Sequence, residues 1–110
     1  MKPFDIFIAY ISWEGGGKLR PVLIVGQQEA VVYAFIITTQ YENKNEAIRS
    51  GYFKINDWQQ AGLDKQSYVD TNSIRDLPFM LFNGKTEIGR LTVTDEIRLI
   101  EFLNKLPYVK

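Results

Sequence analysis

The sequence predicts a mainly β protein: a bent antiparallel sheet that closes into a partial β-barrel, followed by one C-terminal α-helix. Two observations predict this fold class. Short segments rich in β-branched and aromatic residues recur along most of the chain, and an apolar stripe at helical spacing occurs only near its end. Strands do not alternate with helices, which argues against a parallel doubly wound sheet. Because 110 residues leave no room for a second core, we expect a single domain over residues 1–110.

Five to seven short strands are predicted before that helix. In chain order, the strand segments are residues 5–12, 20–27, 30–39, 51–55, 67–74, 79–82 and 86–91. The third is apolar enough to be buried on both faces of a sheet. Pro21 stands near the start of the second, where a missing N–H costs the hydrogen-bond ladder least. Asn83 and Gly84 separate the last two segments and favour a tight hairpin turn.

The predicted connections are polar or rich in glycine. Residues 13–18 contain three consecutive glycines and are predicted as a loop, either mobile or tightly turned. Residues 40–49 carry several charges and are predicted as a surface loop. Residues 56–62 are predicted as one or two helical turns, with Asn56 as the cap and Gly62 as the stop.

The C-terminal helix is predicted from its start and its periodicity. Thr94 is expected to cap it, and Asp95 and Glu96 place acidic groups in the first turn, where the helix dipole favours them. The apolar stripe that should face the core follows at helical spacing and consists of Ile97, Ile100, Leu103 and Leu106.

Composition excludes several kinds of chemistry. The chain has no cysteine and no histidine, which excludes disulfides, thiolate catalysis and the commonest acid–base residue and metal ligand. We expect no metal and no other cofactor. Thirteen basic and thirteen acidic residues cancel, so any site for a polyanion must be built from a few placed cations. Residues 1–5 lack the features of a signal peptide and no apolar run is long enough to span a membrane, so we expect a cytoplasmic protein without membrane contact.

Arg20 and Thr38 are the residues that the predicted strands bring together. If the second and third strands form an antiparallel hairpin, the start of one lies beside the end of the other. Arg20 then meets the segment Thr38-Thr39-Gln40 at one edge of the barrel, under the glycine-rich loop. A guanidinium and a hydroxyl in that position would suit a phosphate group. The alternative stays open, because an arginine at a strand end is usually solvated and Thr-Thr is common in sheets.

Other conspicuous residues favour ordinary structural interpretations. Glu14 is expected to be an exposed acid of the loop. Trp13 and Trp58 are expected to pack in the core or at its rim rather than to stack on bases. The basic residues Lys44, Arg49 and Lys54 are interleaved with Glu42 and Glu46, which indicates a solvated surface of mixed charge.

A series of short motifs spans nearly the whole chain in a fixed order. After the first strand and the glycine-rich loop come residues 18–25 (KLRPVLIV), 35–40 (FIITTQ), 55–63 (INDWQQAGL), 67–69 (SYV), 74–75 (IR) and the helix start at 94–96 (TDE). The arrangement resembles the MazF/PemK toxins of bacterial type II toxin–antitoxin systems. The run RPVLIV at residues 20–25 is the most specific of these motifs.

The resemblance implies an SH3-like barrel of the MazF/PemK type that is usually a homodimer. It also implies an mRNA interferase, an endoribonuclease that cleaves single-stranded RNA within a short sequence and needs no metal. By position, Arg20 corresponds to the family's catalytic arginine and Thr38 to its catalytic threonine or serine, and Glu14 lies where some members use a loop carboxylate. Further positions implied to act in catalysis or RNA contact are Lys18, Thr39, Gln40, Asn72 and Arg75.

Cleavage in this family proceeds by attack of a ribose 2′-hydroxyl and leaves a cyclic phosphate. Arg20 would stabilise charge at phosphorus, and Thr38 would hydrogen-bond a non-bridging oxygen. An arginine is a poor base. Proton abstraction is therefore left to a carboxylate, to water or to a strongly perturbed arginine.

The partners that the resemblance implies are single-stranded mRNA, a cognate antitoxin protein and, for the toxin–antitoxin complex, operator DNA. Two positions depart from the family pattern: Asn72 stands where many members carry an acid, and Asp70 stands near a place that is often basic. They motivate a second hypothesis, a non-catalytic PemK-like domain that binds nucleic acid or an antitoxin, or that poisons a topoisomerase. A structural domain without toxicity is the third hypothesis.

Overall fold

Six strands and a C-terminal helix make up the fold, which confirms the predicted mainly β class. The structure is a computed structural model that describes residues 1–107. Its elements are β1 (Asp5–Trp13), β2 (Gly16–Gln28), β3 (Val31–Thr38), α1 (Glu46–Arg49), β4 (Tyr52–Lys54), β5 (Tyr68–Pro78), a 3₁₀ turn (Phe79–Leu81), β6 (Gly89–Arg90) and α2 (Val93–Asn104). The single turn α1 lies in the segment that was predicted as a surface loop.

The strands form one antiparallel sheet in the order β4-β5-β3-β2-β1-β6. Strands β1 and β2 form one hairpin, and β2 and β3 form the next. Strand β5 then pairs with the free edge of β3. The sheet ends in short strands on both sides, β4 with three residues and β6 with two. Short edge strands offer few unpaired backbone groups for pairing with other chains.

Apolar side chains are buried on both faces of the sheet. Side chains of neighbouring residues in β1 point to opposite faces of the sheet, as strand geometry requires. Ile6 packs in one cluster and Phe7 in the other. The first cluster is covered by α2 through Leu99, and the second includes Phe82 from the segment after β5. Strand β3 contributes to both clusters, so the prediction that it is buried on both faces is confirmed.

The glycine-rich segment is a tight hairpin turn and not a loop over residues 13–18. Trp13 pairs with Gly16, so only Glu14 and Gly15 form the turn between β1 and β2. Gly15 has a φ of 89°, in the left-handed region that glycine adopts at no steric cost. Of the two expected alternatives, the tightly turned one is therefore observed, and β2 begins four residues before its predicted start.

The hairpin predicted from segments 79–82 and 86–91 is wrong. Phe79–Leu81 form a 3₁₀ turn, and the strand that follows is only β6, which pairs with the start of β1. The ring of Phe82 packs edge-on against Phe7, with the ring centres 5.5 Å apart. Burial of this ring directs the chain into the core at the point where the predicted hairpin would have continued along the sheet.

Helix α2 begins two residues earlier than predicted. Its N-cap is Thr92 and not Thr94, because the Thr92 hydroxyl accepts a hydrogen bond from the Asp95 N–H at 3.3 Å. The Asp95 carboxylate is fully buried and accepts hydrogen bonds from the Asp57 N–H at 2.8 Å and from Arg98 at 2.6 Å. These contacts determine which face of the helix turns inward.

The inward face of α2 differs from the predicted stripe. Leu103 packs against the core, as expected, and Leu106 is buried although it lies two residues beyond the end of α2. Ile97 and Ile100 are 55% and 47% exposed, so their prediction as core residues is wrong. Leu99, one residue before Ile100, takes the core position instead.

Residues 56–62 form hydrogen-bonded turns, as predicted, and Gly62 ends them with a φ of 90°. The Asn56 side chain makes no hydrogen bond within residues 1–107, so its predicted capping role is wrong. A Cβ on Gly62 would overlap the backbone carbonyl of Ile88. Glycine is therefore needed here both for the backbone conformation and for the close approach of two chain segments.

Candidate active site

Arg20 and Thr38 lie at the same end of the β2–β3 hairpin. The strands pair antiparallel with Val22 opposite Ile36. Arg20 precedes Val22 by two positions and Thr38 follows Ile36 by two, and residues two apart on a strand lie on the same face. Both side chains line one cavity of about 200 Å³. The predicted meeting of Arg20 and Thr38 is therefore observed.

This cavity, called the site cavity below, is lined by residues of the five strands β1 to β5 and of the loop that follows β3. Its lining consists of Ile11, Trp13, Arg20, Ile36, Thr38, Gln40, Lys44, Tyr52, Asp70 and Arg75. Three of these side chains are cationic and one is anionic, although the whole chain has no net charge. An excess of positive charge concentrated in a cleft favours a negatively charged ligand.

The two arginines of the site cavity are not neutralised by ion pairs. Within residues 1–107, Arg20 makes no hydrogen bond or salt bridge, and its guanidinium carbon lies 5.8 Å from the centre of the Trp13 ring. Arg75 has neither kind of partner in that part of the chain. Both are partly buried. Partly buried guanidinium groups normally have an acceptor, so these two leave their N–H donors for an anion.

The Thr38 hydroxyl is held in place by the segment that follows it. Thr38 is 9% exposed, and its Oγ1 accepts a hydrogen bond from the Gln40 N–H at 3.0 Å. No acceptor for the hydroxyl hydrogen lies within residues 1–107. The O–H is therefore oriented by one hydrogen bond and available to donate another to a ligand oxygen.

An irregularity in β5 brings Asp70 and Arg75 into the same cavity. Their partners on β3 are Ile36 and Ala34, which are two positions apart, whereas Asp70 and Arg75 are five apart. In a regular strand, residues five apart lie on opposite faces. Residues 71–74 are displaced from the ladder, as in a β-bulge, and this displacement returns Arg75 to the face of Asp70.

Asn72 lies in the displaced segment and holds Asp70. The Asp70 Oδ1 accepts hydrogen bonds from the Asn72 backbone N–H at 3.0 Å and from its Nδ2 at 2.9 Å. The same Nδ2 donates to the carbonyl oxygen of Ile48 at 3.0 Å. A Cβ on Gly51 would overlap the Asn72 amide, so the backbone there approaches the side chain closely. Asn72 does not line the site cavity and contacts it only through Asp70.

Tyr52 stands opposite Asp70 in the pairing of β4 with β5. Burial raises the pKa of the Tyr52 hydroxyl above its usual 10.0, the negative charge of Asp70 raises it further, and the positive charge of Arg20 opposes them. The hydroxyl therefore stays protonated at neutral pH. The Tyr52 ring also adjoins Tyr41 and Tyr68, whose rings stack with their centres 4.5 Å apart.

A second cavity of about 170 Å³ adjoins the site cavity along the hairpin end. It shares Arg20, Thr38 and Gln40 with the site cavity and adds Lys18 and Thr39. Arg20 and Thr38 thus lie between two recesses rather than at the bottom of one. An extended ligand that crosses this edge of the sheet would contact both.

Six of the eight sequence-predicted site residues line these two cavities, namely Lys18, Arg20, Thr38, Thr39, Gln40 and Arg75. The structure does not bring the other two to them. Glu14 is exposed in the turn between β1 and β2, and Asn72 is turned toward Asp70 and Ile48. The catalytic or binding role of each of the eight stays a prediction.

Sequence reasoning missed four residues of the site cavity. Tyr52 was not singled out, Trp13 was expected to pack, Lys44 was expected on a solvated surface, and Asp70 was noted only as a departure from a pattern. No local motif marks Tyr52 and Asp70, because they reach the cavity through the pairing of β4 and β5 with distant β3. The alternation of β4 gives no signal for Tyr52, since Lys54, two positions away on the same face, does not line the site cavity.

The described residues offer neither a metal site nor a membrane-spanning helix. Within residues 1–107, no three side chains of the types His, Cys, Asp and Glu are arranged to hold a metal ion. No helix in that part of the chain is long and apolar enough to cross a membrane.

Comparison with known proteins identifies the fold. No protein-family model matches the sequence, and no curated protein matches it significantly. Among solved structures, the chain is similar to the toxin MazF-mt6 of Mycobacterium tuberculosis, with a TM-score of 0.66 and 23% sequence identity over 89% of this chain and 90% of that chain. The chain has the MazF fold. The MazF/PemK-type barrel that the sequence resemblance implied is therefore confirmed as the fold.

Proposed function

We propose that this protein is the toxin of a type II toxin–antitoxin system and acts as a sequence-specific endoribonuclease on single-stranded RNA. One observation carries the proposal: Arg20 and Thr38 share a positively charged cavity in which neither arginine has an ion-pair partner within residues 1–107. The MazF fold, shared with a protein whose name describes it as a toxin, supports the toxin assignment.

In the proposed reaction, a ribose 2′-hydroxyl attacks the adjacent phosphorus without help from a metal ion. Negative charge develops on the non-bridging oxygens of the pentavalent phosphorane. Arg20 stabilises that charge, and Thr38 donates its O–H to one of these oxygens and holds the phosphate for in-line attack. Losing one such contact raises the barrier by about 3 kcal/mol, on the order of a hundredfold in rate.

The other polar residues of the two cavities are proposed to hold the RNA on either side of the scissile phosphate. Lys18, Lys44 and Arg75 are placed to contact neighbouring phosphates, and Trp13, which is 50% exposed, offers a ring face for a base. Phosphate contacts of this kind release counterions, so binding should weaken as salt is raised.

The proposed partners are single-stranded mRNA, a cognate antitoxin and, for the toxin–antitoxin complex, operator DNA, and the proposed location is the cytoplasm. The chain is proposed to act as one domain and as a homodimer. Val93, Ile97 and Ile100 support a partner on the outer face of α2, because they are exposed and recur at helical spacing on one face.

The second candidate function is a non-catalytic domain of the same fold that binds nucleic acid, an antitoxin or a topoisomerase. Asp70 is the observation that favours it, since a carboxylate in the site cavity opposes the binding of a phosphate. Expression in a bacterial host separates the two. Growth arrest that persists in Arg20→Ala supports the non-catalytic function, and growth arrest that disappears supports cleavage.

The direct test maps cleavage ends on a long single-stranded RNA in the presence of EDTA. Wild type, Arg20→Ala and Lys105→Ala are compared, the last being a matched loss of one exposed cation at the C-cap of α2, outside the site. The proposal expects defined cleavage by wild type and Lys105→Ala, and about a hundredfold slower cleavage by Arg20→Ala. Intact RNA with all three proteins would refute it.

A further inference from the structure

We propose that the carboxylate of Asp70 is the general base of the site cavity, accepting the proton of the attacking 2′-hydroxyl, and that Asn72 positions it. This inference rests on the proposed ribonuclease function and assigns the proton-transfer step that Arg20 and Thr38 leave open. Sequence reasoning had placed Asp70 and Asn72 among the reasons to doubt catalysis. The structure gives these two residues a joint arrangement instead.

Asp70 is the only carboxylate among the described residues that line the site cavity. It shares that cavity with Arg20 and Thr38, the groups proposed to hold the phosphate. Asp70 itself lies in the regular ladder, opposite Ile36 on β3 and Tyr52 on β4, and the displacement of residues 71–74 returns Arg75 to its face. The bulge thus presents a carboxylate and a guanidinium group together at the edge where the reacting phosphate would lie.

Asn72 fixes the orientation of the Asp70 carboxylate. It donates two hydrogen bonds to the same atom, Oδ1, and it is itself held by the carbonyl of Ile48 and by close packing against Gly51. Within residues 1–107, Oδ2 receives no hydrogen bond and the carboxylate has no ion-pair partner. One oxygen is therefore used to anchor the group, and the other retains its lone pairs for a proton.

The other groups that face the site cavity are unsuited to this step. Arg20, Arg75 and Lys44 are cations without a lone pair to offer. The raised pKa keeps the Tyr52 hydroxyl protonated at neutral pH, so it donates rather than accepts. Glu14, the carboxylate that the family resemblance suggested, is exposed at the hairpin turn and does not line the cavity.

In the proposed step, proton transfer to Asp70 accompanies formation of the cyclic phosphate. The 2′ O–H bond breaks and its proton passes to Asp70, while the 2′ oxygen forms a bond to phosphorus and the bond from phosphorus to the 5′ oxygen breaks. The 5′ oxygen takes a proton from water, and Asp70 returns its proton to the resulting hydroxide. The products are a 2′,3′-cyclic phosphate and a free 5′-hydroxyl.

The test compares single-turnover cleavage by Asp70→Asn and Asp76→Asn. Asparagine keeps an oxygen for the hydrogen bonds from Asn72 but cannot accept the proton, and Asp76 is an exposed aspartate of the same strand outside both cavities. We expect Asp70→Asn to cleave about a hundredfold more slowly, within the usual contribution of a general base, and Asp76→Asn to cleave at the wild-type rate. Affinity for a substrate with a 2′-deoxyribose at the scissile position should not weaken in either.

Two further measurements identify the role. A substrate with sulfur in place of the bridging 5′ oxygen needs no protonation of its leaving group, so the defect of Asp70→Asn should persist with it if Asp70 is the base. Asn72→Ala should slow cleavage about tenfold without loss of affinity, and should add nothing in the Asp70→Asn background. Thermal unfolding of each variant confirms that it is folded.

The inference is overturned if Asp70→Asn binds RNA more tightly and cleaves it as fast as wild type or faster, since Asp70 would then only repel phosphate. Rescue of Asp70→Asn by the sulfur substrate also overturns it, because the residue would then act on the leaving group. These outcomes require active wild-type protein. If wild type and Asp70→Asn both leave RNA intact, the proposed function itself has failed.

Discussion

Replacing Asp95 with alanine tests whether the buried polar network at the start of α2 stabilises the fold. The carboxylate has no exposed surface, and it accepts hydrogen bonds from the Asp57 N–H and from Arg98. Through these bonds it joins α2 to the turn that contains Asp57. Thr92 adds to this junction by donating a hydrogen bond to the Asp57 carboxylate at 2.7 Å. Asp95→Ala removes the acceptor for both donors at once.

The expected loss of stability follows from these two hydrogen bonds. An N–H left without its partner in a buried position costs about 1–3 kcal/mol, and a hydrogen bond to a charged group contributes about 1.5–3 kcal/mol. The Arg98 side chain is 36% exposed, so water can replace part of what it loses and its share is discounted. We expect Asp95→Ala to lower the free energy of unfolding by about 3 kcal/mol, which for a domain of this length is a fall in Tm on the order of 15 °C.

Urea unfolding of wild type, Asp95→Ala, Asp95→Asn and Glu101→Gln measures this effect. Asparagine still accepts from the Asp57 N–H but lacks the charge that Arg98 uses, so Asp95→Asn should lose about half as much stability as the alanine variant. Glu101 is exposed on the same helix, and its variant should stay within about 0.5 kcal/mol of wild type. A loss below about 1 kcal/mol for Asp95→Ala would refute the stabilising role of the network.

Two further predictions concern packing and pH. A Cβ on Gly89 would overlap the carbonyl of Ala61, so Gly89→Ala should lower the free energy of unfolding in urea by more than about 2 kcal/mol. Gly26→Ala is the control, because nothing lies within 4 Å of its Cβ, and it should be nearly neutral. Equal losses in the two variants would contradict this account. Because the pKa of Tyr52 is raised above 10.0 in the folded state by burial and by Asp70, its contribution is complete below pH 10.0 and is lost as pH rises through the raised pKa. When pH is raised from about 9 to about 11, the free energy of unfolding of Tyr52→Phe should therefore fall less than that of wild type. Equal falls would show that the pKa of Tyr52 is not raised in the folded state.

The hairpin end of the site was predictable because it depends on local alternation. The strand segments containing Arg20 and Thr38 follow one another directly, and antiparallel pairing of consecutive strands brings the start of one to the end of the other whatever the rest of the chain does. The family resemblance added the MazF/PemK type of the barrel and six further candidate positions, four of which line the two cavities.

The rest of the site depends on contacts between distant segments. The face on which Arg75 lies is set by an irregularity in β5 that no motif announces. The inward face of α2 is set by the buried Asp95 rather than by the aliphatic residues Ile97 and Ile100. At α2, buried contacts of Asp95 and the core position of Leu99 override the hydrophobic period on which the sequence prediction relied.

The central claim is that Arg20 and Thr38 act together on one phosphate, and a double-mutant cycle of cleavage rates tests it most directly. Single-turnover rate constants are measured for wild type, Arg20→Ala, Thr38→Val and the double variant on one RNA at a cleavage site mapped beforehand. If the two groups stabilise the same phosphorane, each single variant should cleave about a hundredfold more slowly, and the double variant should lose far less than the product of the two effects. Rates that are unchanged in Arg20→Ala, or losses that multiply independently, would contradict the claim.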